Sequence, residues 1–137
     1  MEVSYKNISL VFVAGFLGGL VNGLCIWGSG ALGVPQALGV KLAPALTASW
    51  LYPRLVWGGL WAFLFLLPLR RWPYAVRGLL YSLGPSLVTF FIVLPLQAQK
   101  GVFGFQLGYL TPLFVLFYNG IWGFVAGLWL HLAKKAD

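Results

Sequence analysis

Four apolar segments of about twenty residues each set the strongest limit on how this chain can fold. They cover residues 8–27, 50–69, 76–96 and 108–130. A helix of roughly 20 residues crosses the hydrocarbon core of a bilayer, which is about 30 Å thick. Only 8% of the 137 residues are charged, too few to cover the surface of a soluble domain. We therefore expect an all-α membrane protein, with four transmembrane helices in a single domain that covers residues 1–137.

The positive charges predict how these helices are oriented. One set lies on the side shared by the N-terminus, the second connection and the C-terminus: Lys6, Arg70, Arg71, Arg77, Lys134 and Lys135. The opposite side carries Lys41 and Lys100, with Arg54 near it. Because Lys and Arg concentrate in cytoplasmic loops, we expect a multi-pass protein of the inner (plasma) membrane with both termini in the cytoplasm.

The acidic residues exclude several kinds of chemistry. Glu2 and Asp137, the two acids of the chain, stand at its extreme ends, so no carboxylate lies within an apolar segment. Proton relays and transporter cation sites usually rest on such carboxylates, and so does paired-carboxylate catalysis. Cys25 and His131 are single and cannot build a metal centre within one chain. We expect no enzyme and no cofactor, and contact with the lipid bilayer rather than with nucleic acid.

The longest connection, residues 28–49, is not a hydrophilic loop. Pro35 suits the first turn of a helix. Three leucines then recur every four residues, as on one helix face: Leu38, Leu42 and Leu46. The pattern predicts a short helix over about residues 35–46. It would lie at the outer membrane interface or re-enter the bilayer.

Glycines spaced four residues apart occur on two of the predicted helices. They are Gly15, Gly19 and Gly23 on the first, and Gly123 and Gly127 on the fourth. This spacing leaves one helix face without side chains, so another helix can approach closely. The approaching helix belongs either to the same chain or to a second copy. We expect packing of this kind together with a homo-oligomer or a larger membrane complex.

Arg54 is the sharpest polar feature of the apolar segments. If its helix starts near residue 50, Arg54 lies about 6 Å below the outer end. Such an Arg either extends towards lipid headgroups or faces inward and binds an anion. The other polar residues either hydrogen-bond between helices or form a ligand site with Arg54. These candidates are Asn22, Ser86, Thr89, Thr111 and Asn119.

Arg54, Asn22, Thr89 and Thr111 all fall in the outer half of the predicted helices, with Asn119 at the midpoint of its helix. Two functions fit this distribution of polar residues. The first is a non-enzymatic small subunit or binding partner that holds an anionic or amphiphilic ligand in an outer-leaflet pocket near Arg54. The second is a homo-oligomeric small-anion channel or transporter, with the pore between protomers and Arg54 at its mouth. A pore through one protomer is not expected, because the inner halves of the predicted helices are almost entirely apolar.

Overall fold

The computed structural model describes residues 3–69 and 71–135, and every regular element within these ranges is helical. The α-helices are α1 (Tyr5–Ala31), α2 (Val34–Ala37), α3 (Ala48–Trp61), α4 (Tyr74–Tyr81), α5 (Leu83–Val88) and α6 (Thr111–Lys135). A 3-10 helix over Ala62–Leu66 continues α3, a π-helix over Thr89–Gln97 continues α5, and a 3-10 turn over Val102–Gly104 precedes α6. Arg70, Glu2 and Asp137, whose charges entered the predictions above, lie outside the described residues.

Three of the helical stretches are long and apolar enough to cross a membrane: Tyr5–Ala31, Tyr74–Gln97 and Thr111–Lys135. They match three of the four predicted segments. The segment predicted over residues 50–69 is shorter in the structure than predicted, because its helical part ends at Leu66. Leu67 is extended, with φ −62° and ψ 140°, as expected of a residue that precedes proline, here Pro68.

Successive long helices run antiparallel. The N-terminus of α1 and the C-terminus of α6 share one end of the bundle, which we call the terminal end. Residues 32–47 and 98–110 lie at the opposite end, the loop end. Helix α1 packs against both α3 and α6, and α6 also packs against α4. The two central helices of the bundle are therefore α1 and α6.

The glycines of α1 lie against α3. A Cβ atom on Gly15 would overlap the carbonyl oxygen of Gly58, and one on Gly19 would lie 2.7 Å from the carbonyl oxygen of Arg54. A Cβ atom on Gly23 would be just as close to a leucine side chain of α3. These glycines thus allow backbone contact between two helices of the same chain.

The glycines of α6 do the same against α4. A Cβ atom on Gly123 would overlap the carbonyl oxygen of Gly78, and one on Gly127 would overlap that of Tyr74. All five glycines of the repeated spacing are therefore occupied by packing within one chain. A homo-oligomer would have to use other surfaces.

The helix predicted over residues 35–46 is much shorter in the structure. It spans only Val34–Ala37, and Gly39 then adopts a left-handed conformation with φ +78°. The amide of Val40 donates to the carbonyl of Pro35 at 2.9 Å, and that of Gly39 to Gln36 at 3.1 Å. These two bonds form a Schellman motif, which ends a helix. The periodic leucines did not reveal this stop.

The two loops at the loop end contact each other. The amide of Lys41 donates to the carbonyl of Leu107 at 2.9 Å, and Gly108 lies against the carbonyl of Gly39. Val40 is completely buried between these elements. Residues 39–41 are therefore held against the second loop, and residues 42–43 lie against Gly30 of α1.

Candidate ligand-binding cleft

A cleft of about 920 Å³ occupies the half of the bundle nearer the loop end. Its two sides come from α3 and from α5 with its π-helical continuation, while α1 and α6 supply the base. Residues 41–44 border it at the loop end. The volume falls within the range of about 300–1,000 Å³ that small-molecule sites usually have.

Arg54 enters this cleft from the first turns of α3. The hydroxyl of Thr47 accepts a hydrogen bond from the Trp50 amide at 3.2 Å, which caps the helix and fixes where it begins. Arg54 follows six residues after Ala48, about 9 Å along the helix axis. Its guanidinium carbon lies 4.5 Å from the centre of the Trp50 ring, a cation–π contact. Within residues 3–69 and 71–135 the guanidinium makes no hydrogen bond or ion pair.

Lys41 adds a second positive charge to the cleft lining. Its backbone is anchored to the second loop, whereas its ammonium group makes no hydrogen bond or ion pair with the described residues. Residues 3–135 contain no Asp or Glu, so no carboxylate is present there to pair with either cation. The cleft therefore carries two positive charges without a protein counter-ion from the described part of the chain.

Three uncharged polar residues of the cleft lining, Asn22, Asn119 and Thr89, use their side-chain donors within the protein. Asn22 donates from Nδ2 to the carbonyl of Tyr118 at 2.7 Å, linking α1 to α6. Asn119 donates from Nδ2 to the Ser86 hydroxyl at 3.0 Å, linking α6 to α5. Thr89 donates to the carbonyl of Pro85 at 2.7 Å, within its own helix. These donors are used within the protein, whereas neither of the two cations makes a hydrogen bond or ion pair with the described residues.

The proline in α5 explains the hydroxyl side chains next to it. Pro85 cannot donate to the carbonyl of Tyr81, and the helix breaks at Ser82, between α4 and α5. The hydroxyl of Ser86 donates to the carbonyl of Ser82 at 2.8 Å, which supplies a bond near the break. Ser86 is 1% exposed and lies beneath Asn119 rather than in the lining.

Thr111 does not join the cleft. It is completely buried at the start of α6, where its methyl group lies close to Gly104. Its hydroxyl has no hydrogen-bond partner among the described residues. Four of the six predicted ligand residues thus line one cleft: Arg54, Asn22, Thr89 and Asn119.

Several lining residues carried no signal of their own in the sequence. Tyr118 and Trp122 lie on the face of α6 that meets the cleft, one helical turn apart. The indole of Trp122 donates to the carbonyl of Gly58 at 3.2 Å. Their spacing, read together with Asn119, could have indicated a shared face, but aromatic residues at this spacing are also common in membrane helix packing.

Arg77 has a structural role that its use as a positive charge in the orientation prediction did not reveal. It is 3% exposed and donates from Nη2 to the carbonyls of Phe65 at 2.9 Å and Leu67 at 3.0 Å. Phe65 lies in the last turn of the 3-10 helix, where carbonyls lack helical partners; Leu67 follows that helix, and its carbonyl also accepts from the Leu69 amide at 2.8 Å. The tyrosines of α4 lie beside the guanidinium, with the Tyr74 ring centre 5.1 Å away. Arg77 thus joins α3 to α4 at the terminal end.

The cleft does not continue to the terminal end of the bundle. A Cβ atom on Gly84 would lie 3.0 Å from the Trp61 ring, so α3 and α5 touch there. Below this contact the Phe65 and Tyr81 rings meet edge to face at 5.0 Å. Together with Val11 and Leu130, which are completely buried, these rings belong to an apolar core.

The cleft thus combines an apolar, closed inner end with two cations near its loop end. No protein-family model, curated protein or solved structure matched this chain. A function for this chain therefore has to be inferred from the residues of the cleft themselves.

Proposed function

We propose that this chain is a non-enzymatic, multi-pass membrane protein that holds an anionic or amphiphilic ligand in the cleft beside Arg54. The observation that carries the proposal is the pair of cations, Arg54 and Lys41, in a cleft whose described residues include no carboxylate. A cation within a membrane segment is costly unless it is paired, which makes a bound anion the natural partner.

The proposal includes four membrane crossings. Helix α3 has 14 residues at 1.5 Å each, and the 3-10 helix that continues it has five at about 2.0 Å each, which gives about 31 Å. That length matches a hydrocarbon core of about 30 Å. The tighter 3-10 winding advances further per residue and so compensates for a helix that Pro68 ends early. With the termini in the cytoplasm, as the charge distribution favours, the cleft lies in the outer leaflet of the inner membrane.

Arg54 suits phosphate or carboxylate groups. A guanidinium presents a planar fork of N–H donors that can bind two oxygens of one anion. The Trp50 ring beside it restricts the orientation of the fork before any ligand arrives. Lys41 adds a flexible point charge from the neighbouring loop. Arg54 is partly buried, which strengthens its contact with an anion, whereas Lys41 is exposed.

The anion channel finds less support in the same features. The contacts of Trp61 and Phe65 close the cleft at its terminal side, so a pore would have to run between copies. The glycine faces that could bring copies together are filled by helices of the same chain. The binding function needs neither a pore nor a second copy.

The test measures binding of a defined anionic probe to the protein in mild detergent. Native mass spectrometry follows the bound fraction of dihexanoylphosphatidylglycerol, with its zwitterionic phosphatidylcholine counterpart, whose net charge is zero, as the comparison. We expect Arg54→Gln to weaken binding about 10- to 100-fold, since hydrogen bonds to charged groups contribute about 1.5–3 kcal/mol. Lys41→Gln should weaken it less.

Lys100→Gln is the matched control, because Lys100 is an exposed cation of the same loop end that does not line the cleft. It should leave binding unchanged. Equal affinity of the Arg54→Gln variant and the original chain would refute the proposal. The same spectra report the number of copies, and a ligand-free ring of several protomers would favour the channel instead.

A further inference from the structure

The cleft opens sideways between α3 and the α5–π helix. Trp57 and Ile92 both line it, yet they are 61% and 46% exposed on the surface of the bundle. Residues can line a cleft and remain this exposed only if they stand at its edge. The surrounding surface carries large apolar side chains such as Leu87 and Phe91. The opening therefore faces the region that lipid chains occupy if these helices cross the membrane.

The lining changes in polarity along the bundle axis. Lys41 and Arg54 lie towards the loop end. Deeper in the cleft the sides become apolar, with Trp57 and Trp61 on α3 and Val88 on α5. This apolar slot ends where Trp61 meets Gly84. The cleft is thus amphipathic, with a cationic mouth and a closed apolar end.

We propose that the ligand is a phospholipid with a net negative charge from the leaflet at the loop end, which enters through the side opening. Its phosphate binds Arg54 and Lys41, and one acyl chain lies in the slot between α3 and α5. This inference rests on the proposed function and adds the ligand class and the entry route. A free phosphate ion would satisfy the same cations but would leave the apolar slot and its side opening without a use.

Acyl burial adds little to the binding that the charges provide. Chain methylenes that leave water for an apolar site gain about 0.8 kcal/mol each, but a lipid chain starts in the bilayer and gains little by that route. Selectivity among lipids therefore rests on the headgroup, and the slot contributes only the space that an acyl chain occupies. Blocking the slot should consequently exclude the lipid even though both cations remain.

The experiment uses the full chain in nanodiscs of phosphatidylcholine that contain a small fraction of phosphatidylglycerol with a diazirine in one acyl chain. After illumination, mass spectrometry locates the labelled residues. We expect labels on the slot residues of α3 and α5, competition by unlabelled phosphatidylglycerol, and no competition by inorganic phosphate. Labels spread evenly over the exposed helix faces would overturn the inference.

Two adjacent substitutions test the slot itself. Val88→Trp places a large ring in the slot, whereas Leu87→Trp places the same ring on the exposed face one residue away. We expect the first to reduce labelling of the slot about fivefold or more, as overpacking of about 1 kcal/mol or more would, and the second to leave it unchanged. Equal labelling in the two variants would overturn the inference, provided that both elute as the original chain does.

The outcomes separate this inference from the proposed function. If Arg54→Gln abolishes slot labelling and phosphate does not compete, both stand. If inorganic phosphate competes and Val88→Trp has no effect, the cations bind a soluble anion and only the lipid inference fails. If Arg54→Gln leaves probe binding and slot labelling unchanged, the proposed function fails and takes this inference with it.

Discussion

The two halves of the bundle differ in how closely their helices approach. In the terminal half the backbones touch, as where Gly123 meets Gly78, and a core of rings and small residues fills the remaining space. In the loop-end half α1 and α3 still pack closely at Gly19, but α3 and the α5–π helix stand apart around the cleft. The comparison teaches that close packing in one half supplies the rigidity that lets the other half stay open.

The largest expected effect comes from breaking the closest contact of the tight half. Gly123→Ala should lower the free energy of unfolding by about 3 kcal/mol or more, because the new Cβ atom would overlap the carbonyl oxygen of Gly78 and two backbones would have to separate. Thermal unfolding in detergent measures the loss. Gly120→Ala is the control on the same helix, since its Cβ atom would lie an ordinary 3.7 Å from Leu79. Similar melting temperatures of the two variants would contradict the described packing.

The next effect concerns the link between α3 and α4. Arg77→Met should lower the free energy of unfolding by about 2 kcal/mol, because the carbonyls of Phe65 and Leu67 would lose their charged donor while the apolar stem is retained. The exposed Arg71 provides the comparison: Arg71→Met should leave the unfolding temperature nearly unchanged. A stability loss of the same size in both would mean that overall charge, rather than the buried contact, is responsible.

The smallest expected changes in the free energy of unfolding come from two glycines of the loop-end half, and they have opposite signs. Gly28 and Gly33 both have open space where a Cβ atom would project, but Gly28 is helical and Gly33 has φ +80°. Gly28→Ala should stabilise by about 0.5–1 kcal/mol through helix propensity. Gly33→Ala should destabilise by about 1–2 kcal/mol through left-handed strain. Unfolding curves of the two variants should therefore shift in opposite directions, and a shift in the same direction would contradict the assigned backbone conformations.

Hydropathy predicted the part of the fold that depends on length and composition alone. Three predicted segments coincide with helices able to span a membrane, because about twenty apolar residues have few other stable arrangements. The predicted end of the helix over residues 50–69 was wrong, because the helix ends where Leu67, which precedes Pro68, adopts an extended conformation. The 35–46 helix failed for a similar reason: a left-handed glycine overrides a periodic pattern of leucines.

The candidate cleft was only partly predictable. Depth along each helix placed Arg54, Asn22, Thr89 and Thr111 in the outer half and Asn119 at the midpoint of its helix; the structure brings all of these except Thr111 to one cleft. The depth of a residue along a helix does not fix the direction in which its side chain points. Thr111, predicted at a similar depth, is therefore buried outside the cleft. Lys41 was missed as a lining residue because a hydrogen bond between two loops, not a local pattern, sets its position.

The central place of α6 also determines the order in which the molecule can assemble. Helix α6 follows all the others in the chain, yet it contacts both α1 and α4, with Trp122 against Gly18 and Gly123 against Gly78. Until α6 enters the bilayer during synthesis, the glycine faces that it covers have no partner, and the base of the cleft lacks Tyr118 and Asn119. The helix hairpins can insert earlier, but a nascent chain without α6 has no complete site. The proposed ligand binding therefore requires that α6 has already inserted and packed against α1 and α4.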